Sequence, residues 1–360
     1  MAAEIDGQYD IRDAIRTVVD GKELSKDNAM RAMDAIMSGD VSGAQIGALV
    51  TSLRMRGETV QEIAGFAEGM RKHALRVHVS NHVGPLVDTC GTGGDASGTF
   101  NISTTASFVI AGAGVKVAKH GNRAITSKCG SADLLEGLGV IVELTPDQVI
   151  RCIEEVGIGF MYAPAFHPAM RFVGPARREM GIRTVFNVLG PLTNPAGAGH
   201  QLIGVGHPDI AGKLADVLRV LGSSHAVLVH AEDGMDELGV SGPSTVTEYD
   251  ARRGEVLTYS VHPREFGLIP GDRGDISGGD VGQNVEFTRR ILQGEDGPRR
   301  SVTLLNAGAG LYAADAVESF ADGIAMATRA LDSGAALEKL EALAALTQEM
   351  VAAPAEVVQA

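Results

Sequence analysis

Tryptophan is absent from the 360 residues, and aromatic side chains make up only 4% of them. A chain so poor in flat rings has little with which to stack unpaired bases, which argues against a single-stranded nucleic-acid binder. An excess of positive charge is missing too. Lys and Arg number 31 against 45 Asp and Glu, a formal net charge of −14, whereas a nucleic-acid surface needs a basic footprint. Cysteine is scarce: Cys90, Cys129 and Cys152 lie far apart, odd in number and without C-x-x-C spacing. That excludes a disulfide framework and a thiolate zinc motif, and it fits a reducing, cytoplasmic compartment. No apolar run approaches bilayer-spanning length, so no membrane partner is expected. The opening residues Met1 to Asp6 lack the basic and apolar regions of a secretory signal.

What is present suits a globular protein with a substantial core, at 44% hydrophobic and 21% charged residues. Residues 10–75 read as a small helical bundle. Ser42-x-x-Gln45 and Thr59-x-x-Glu62 are capping boxes, each opening an apolar-periodic run. From about residue 84 short β-type runs alternate with helical ones: Leu86-Val87, Val115 to Val117, Val140 to Val142, Leu202 to Val205 and Ala226 to Val229. Thr145-Pro146 marks one helix start, and another helix runs from about Asp209 to Leu221. Thr245–Tyr249 and Glu255–Tyr259, flanking Arg252-Arg253-Gly254, read as a hairpin. Residues 263–282 read as a surface loop, Val285–Gln293 and Ala313–Leu331 as helices, Val302–Leu305 as a strand between them, and the tail from about Ala352 as frayed. The alternation predicts an α/β fold: a small all-helical N-terminal domain, 1–83, and a larger α/β domain, 84–360, with a mainly parallel central sheet.

The chemistry gathers in a few loops. The first runs from Gly91 through Thr92, Gly93, Gly94 and Asp95 to Thr99, Asn101, Ile102, Ser103 and Thr104, after a β-type run and into an apolar helix. Glycine lets backbone approach a ligand closely, and a helix start offers free N–H groups to an anion. The segment is neither a nucleotide P-loop nor a dinucleotide fingerprint, because no Gly-Lys-Ser/Thr follows and G-x-G-x-x-G is not met. The second loop holds Lys119, His120, Gly121, Asn122, Arg123, Ser127 and Ser131. Lys119 brings mobile positive charge to a phosphate. Arg123 reads equally as an ion-pair residue, and His120 reads as a packed histidine more readily than as a general base. Asp233-Gly-Met-Asp236-Glu237 sets carboxylates side by side after a strand, an arrangement that suits Mg2+ shared with substrate phosphates. A proline-rich and basic stretch from Ala163 to Pro195 reads either as a linker or as the wall of a pocket in which Arg grips an aromatic carboxylate.

Taken in order, Gly91–Asp95, Asn101–Thr104, Lys119–Arg123, Gly190-Pro-Leu-Thr-Asn-Pro195 and Asp233–Glu237 resemble the anthranilate phosphoribosyltransferase family over roughly residues 10–340. The resemblance implies the two-domain fold shared with pyrimidine nucleoside phosphorylases, with a mid-chain segment at about 165–190 joining the helical domain and a homodimer formed through it. It implies transfer of the phosphoribosyl group of phosphoribosyl pyrophosphate (PRPP) to the amine of anthranilate in tryptophan biosynthesis, with pyrophosphate leaving. PRPP would be held by Gly91, Gly94, Asp95, Thr99, Asn101, Ile102, Ser103, Thr104, Lys119, His120, Gly121, Asn122, Arg123, Ser127 and Ser131. Anthranilate would meet Gly91, Asn122 and Arg177, with His120 and the region of His167 lining its approach. Ser103, Asp236 and Glu237 would hold two Mg2+ ions per active site. Cys129 departs from the pattern, where serine is often expected.

The residues permit a metal-assisted displacement at ribose C1 with no covalent enzyme intermediate, and no residue stands out as nucleophile or general base. A nucleoside phosphorylase on the same fold is the rival; as the resemblance stands, the acidic pair and the Lys-His-Gly-Asn-Arg loop speak against it.

Overall fold

The computed structural model describes residues 10–95, 97–124 and 127–352; the tail beyond Ala352 lies outside them. Four helices come first: α1 (Ile11–Val19), α2 (Lys26–Ser38), α3 (Gly43–Arg56) and α4 (Val60–Lys72). Each has a side-chain N-cap, from Asp10, Ser25, Ser42 and Thr59, which satisfies amides that the helix itself leaves free. Both capping boxes form as the sequence predicts. The second does more than cap: the buried Glu62 carboxylate also takes the Leu24 N–H at 2.8 Å and pairs with Arg56. A buried charge satisfied on every side locks the bundle's turns together.

Seven strands follow in one sheet of order β3-β2-β1-β4-β5-β6-β7. They are β1 (Leu86–Gly91), β2 (Lys116–Gly121), β3 (Ile158–Tyr162), β4 (His200–Gly204), β5 (His225–Ala231), β6 (Ser244–Asp250) and β7 (Glu255–Val261). The first five run parallel, and β6 and β7 form the antiparallel hairpin expected around Arg252–Gly254. Side chains alternate between the two faces of a strand, and here both faces are covered. Leu202, Val227 and Val229 enter one apolar core with Phe108, Leu305 and Leu340; Ile203, Ala226 and Leu228 enter a second with Leu214, Leu218 and the helical bundle. The Ala211–Val220 helix lies between α4 and the sheet. The mid-chain helix Gly174–Met180 packs on α3, and its Val173 and Ala176 belong to the bundle's core.

Three local expectations fail. Val302–Leu305 is not a strand but part of the Pro298–Ala313 helix, whose residues from Ser301 onward are all buried. A helix apolar on every side shows a continuous hydrophobic run rather than a stripe, so periodicity cannot distinguish it from a strand. Val140–Val142 joins no ladder; Val140 and Val142 are simply buried. The helix read over Ala313–Leu331 starts only at Phe320, because the preceding helix ends at Ala313 and 314–319 are not helical. Asp315 lies between them at φ 57°, the one non-glycine in the left-handed region among the described residues.

Candidate active site

The parallel strands β1, β2 and β5 deliver three loops to the same edge of the sheet, the carboxyl edge where α/β folds bind ligands. Gly91 closes β1. An added Cβ there would stand 2.8 Å from Asp236 Oδ2, so the loop and the acidic turn approach each other only because this residue is glycine. Their contacts are direct: the Gly93 N–H donates to Asp236 Oδ2 at 3.1 Å, and the Asp236 N–H donates to Asp95 Oδ2 at 3.2 Å. Thr99 bridges to Ser277, fastening the loop's far end to the 263–282 segment. The α5 helix (Ile102–Gly112) then begins at Asn101, whose side chain does not cap it. Asn101 Nδ2 donates instead to the Cys129 carbonyl at 3.1 Å, while its buried Oδ1 has no partner. The first turn of α5 is therefore open to an anion. Ile102 and Thr104 are buried, and Ser103 between them is half-buried and lines the cleft.

Lys119 is not the mobile charge the sequence suggests. It is buried on β2, and its ammonium donates to the Thr89 carbonyl, to Thr89 Oγ1 at 3.2 Å and to Ser103 Oγ at 3.4 Å. Burial lowers its pKa, opposed by the nearby charge of Asp88. Asp88 is also fully enclosed; burial raises its carboxyl, against hydrogen bonds from Asn194 Nδ2 at 2.8 Å and the His120 N–H at 3.2 Å. Asn194, from the Gly190–Pro195 motif, thus helps fix β1 to β2 just beneath the cleft.

Burial raises Asp236 to about 7, assisted by the charge of Asp95, and raises Glu237 to about 8, assisted by Asp236. Both retain some exposed surface, yet protein atoms crowd them enough to strip most of their water. Asp95 goes the other way: burial pushes it up, but hydrogen bonds from Ser97 and Asp236 outweigh this and hold it low. Carboxylates forced together in this way suit a divalent cation. Among the described residues no three His, Cys, Asp or Glu side chains enclose an ion unaided. Mg2+ takes one or two carboxylates and completes its shell with water and substrate phosphate. Asp236 and Glu237 therefore fit Mg2+, and the Ser103 amide is directed at Glu237.

The second loop is organised by Asp133, which accepts the Ala124 and Gly130 N–H groups at 2.8 and 2.9 Å. Asn122 is exposed at the cleft; its Oδ1 takes the Arg123 N–H, and its carbonyl takes Ser131 Oγ at 3.1 Å. Gly121 lies under Ser131 and Phe160. Arg123 turns toward Glu136, Glu143 and Tyr162, and Ser127 is exposed, its Oγ 3.5 Å from the Cys129 carbonyl. The His120 and His167 rings lie 5.0 Å apart. Burial depresses them to about 3 and about 4, so both are neutral at physiological pH. Backbone groups of Gly190 and Thr193 approach these rings without completing a well-aligned hydrogen bond, leaving His120 Nε2 and both His167 nitrogens unpartnered. Cys129 is buried, its thiol pushed up to about 11.

A cavity of about 890 Å³ extends from Gly91, Ser103 and Lys119 past His120 and Asn122 to Arg177. Its far wall is the Ala163–Arg178 stretch, with Met70 of α4, so that stretch lines a pocket and is not a plain linker. Arg177 lies over the Phe186 ring, 5.7 Å from its centroid, and has no acidic partner among the described residues. Burial lowers its pKa. A half-buried, unpaired guanidinium beside a ring suits a flat carboxylate. Sequence reasoning passed over Arg183, whose guanidinium lies 3.4–3.5 Å from the Gly93 carbonyl.

The "Glycosyl transferase family, a/b domain" matches residues 83–337, and the "Glycosyl transferase family, helical bundle domain" matches 12–74. The anthranilate phosphoribosyltransferase of Roseiflexus sp. (strain RS-1) is 55% identical over 335 residues, covering 92% of this chain and 97% of that one. The crystal structure of the Thermus thermophilus anthranilate phosphoribosyltransferase superposes with a TM-score of 0.87 at 44% identity, over 93% of this chain and 99% of that one. The Saccharomyces cerevisiae enzyme, solved with PRPP and Mg, gives 0.85 at 26% identity over 94% and 98%. The same yeast enzyme with 4-fluoroanthranilate gives 0.84 at 25% over 94% and 98%. The chain belongs to the anthranilate phosphoribosyltransferases, a family of glycosyl transferases.

Proposed function

We propose that this protein transfers the phosphoribosyl group of PRPP to the amine of anthranilate, releasing pyrophosphate and serving tryptophan biosynthesis in the cytoplasm. One observation carries the reading. The acidic pair Asp236–Glu237, raised to about 7 and about 8, meets an uncapped helix start and a glycine loop at one end of a cavity whose other end holds an unpaired Arg177. A cation and diphosphate suit the first end; an aromatic carboxylate suits the second.

Breaking the bond from ribose C1 to pyrophosphate leaves positive character on the sugar and negative charge on the leaving group. Two Mg2+ ions per active site, held by Ser103, Asp236 and Glu237, would offset that negative charge. The Gly91–Asp95 loop amides, Thr99, Asn101 and the first-turn amides of α5 bind the anionic oxygens. Lys119 supplies a fixed positive field from below the cleft. Asn122 and Ser131 hold the donor from the second loop, with His120, Gly121, Arg123 and Ser127 in the same segment. Arg177, Gly91 and Asn122 orient anthranilate. Its aromatic amine is unprotonated at neutral pH, so attack on C1 needs no strong base, which agrees with neutral, depressed His120 and His167. Holding the two substrates in line supplies much of the remaining rate.

We further assign the helical unit to 1–83 with the 165–190 segment, the α/β unit to 84–360, and a homodimer contact to the helical unit, where Val19, Met55 and Ile182 stand exposed. Incubation with PRPP, Mg2+ and anthranilate, followed by the loss of anthranilate fluorescence, tests the activity. Fluorescence loss that requires both PRPP and Mg2+ is expected; turnover of thymidine or uridine with phosphate instead would overturn the reading.

A further inference from the structure

The turn before Thr184 brings a cation onto the glycine loop. Gly94 sits at φ +80°, and an added Cβ would fall 1.7 Å from Arg183 Nη1 and 2.9 Å from its Cζ. The guanidinium thus rests against the Gly94 Cα, closer than any residue with a side chain would permit. Its hydrogen bonding is poor by contrast: both terminal nitrogens reach the same Gly93 carbonyl, at 3.5 and 3.4 Å. A guanidinium offers five N–H donors in a rigid fork matched to phosphate, and this one spends none of them on a short bond. Among the described residues no carboxylate pairs with it, although Asp95 lies on the loop it touches and Asp236 accepts that loop's Gly93 N–H.

Its neighbourhood is cationic as well. Arg183 lines a cavity of about 330 Å³ together with Arg54, His207 and Lys213, and with Glu58 and Asp209. Lys213 spends its ammonium on the Glu58 carbonyl at 2.7 Å and not on a carboxylate. Arg183 also stands at the seam of the two units. Val185 and Phe186 follow it into the bundle's core, while the loop it touches leaves β1.

We propose that Arg183 is a donor-binding residue: its guanidinium leaves the Gly93 carbonyl and takes a phosphoryl oxygen of the sugar diphosphate seated on the glycine loop, drawing the mid-chain segment onto that loop. The proposal rests on the PRPP reading above and adds to it a residue outside the recognised motifs. The reason is energetic. A charge-assisted, forked contact to phosphate is far stronger than two long contacts to one neutral carbonyl, so the diphosphate wins the exchange. Gly94 is the geometric condition, because any side chain there would displace the guanidinium.

The test compares Arg183→Ala, Arg183→Met and Arg183→Lys in steady state at two ionic strengths, with calorimetric binding of Mg2+–pyrophosphate as a second measurement. Arg183→Met keeps the bulk without the charge, and Arg183→Lys keeps the charge without the fork. The Ala and Met variants should raise the KM for PRPP about 10- to 100-fold, with the KM for anthranilate within about twofold. Lys should recover part of the loss, and the KM for PRPP should lose part of its salt dependence in Met, since exposed charge contacts are screened. Pyrophosphate affinity should fall in parallel. An unchanged KM for PRPP in Met overturns the proposal, and so does an equal rise for both substrates with no recovery in Lys, which marks a purely structural strut. If the unaltered protein fails to consume anthranilate with PRPP, the functional reading itself fails, a result separable from any variant's behaviour.

Discussion

At the start of β5, His225 is fully enclosed, with Nδ1 2.7 Å from Asp315 and Nε2 3.3 Å from Glu248. Around it Tyr259 and Tyr312 donate to Glu248, Arg252 pairs with Asp250 and Asp315, and Arg253 faces Glu248 and Asp250. Just past the other end of the same strand lie Asp236 and Glu237, crowded by Asp95, with the charge of buried Lys119 opposing their repulsion only in part. Both ends bury charge, and only one completes its pairing. At the first end burial would depress His225, but the hydrogen bonds of Glu248 and Asp315 raise it, and Glu248 and Asp250 are held low. At the second end burial and like charge raise both carboxylates. The paired cluster ties β5, β6 and the break after the Pro298–Ala313 helix into one body, and its strained Asp315 is held there by those bonds. The unpaired cluster is the mark of a site that a ligand must complete.

The two ends should respond oppositely to mutation. Replacing the acidic pair, Asp236→Asn with Glu237→Gln, should cut Mg2+-dependent turnover by about 10³-fold without lowering the thermal midpoint, because it relieves repulsion. A lowered midpoint with turnover preserved would reverse the assignment. At the paired end, His225→Ala should destabilise the fold by about 3 kcal/mol, since it strands buried carboxylates, while kcat of the folded protein stays near that of the unaltered chain; chemical denaturation and active-site-normalised kinetics read both.

They should also differ in pH. His225 has a raised pKa, so its contribution is complete below its ordinary value of 6.5 and fades as pH rises through the folded value. Glu248 and Asp250, held low, contribute above the ordinary carboxylate range and lose that contribution in acid. At the site end, carboxyls raised to about 7 and about 8 make the ligand-free fold bind extra protons, so their contribution falls as pH climbs from about 4 to 8. Mg2+–pyrophosphate must displace those protons, so its affinity should climb through pH 7 to 8. Titration calorimetry in buffers of different ionisation enthalpy checks the proton release, and a flat profile would contradict it.

Two smaller effects sharpen the picture. Arg177→Ala should raise the KM for anthranilate about 10-fold or more and leave that for PRPP almost unchanged. Ser42→Ala, which removes one capping box far from the cleft, should cost about 1 kcal/mol with no kinetic effect.

The sequence made some of this visible and hid the rest for definable reasons. Local rules were legible: the Ser42 and Thr59 capping boxes form and a helix starts at Pro146 after Thr145, and the Arg252–Gly254 turn joins β6 to β7. The site loops were legible because glycine and hydroxyl side chains cluster where backbone meets ligand. Burial was not. The Pro298–Ala313 helix looked like a strand because it is enclosed on all sides. Lys119 looked mobile because nothing in its neighbours along the chain announces Thr89 and Ser103 around its ammonium. The His225 cluster joins residues from β5, β6 and the 315 turn, too distant in sequence for any spacing rule to connect.

Crystals soaked with PRPP and Mn2+ in place of Mg2+ would test the central claim most directly through the metal's anomalous signal. The account predicts peaks bounded by Asp236, Glu237 and the diphosphate, over the glycine loop. Full donor occupancy with both carboxylates turned to solvent and no metal beside them would contradict it.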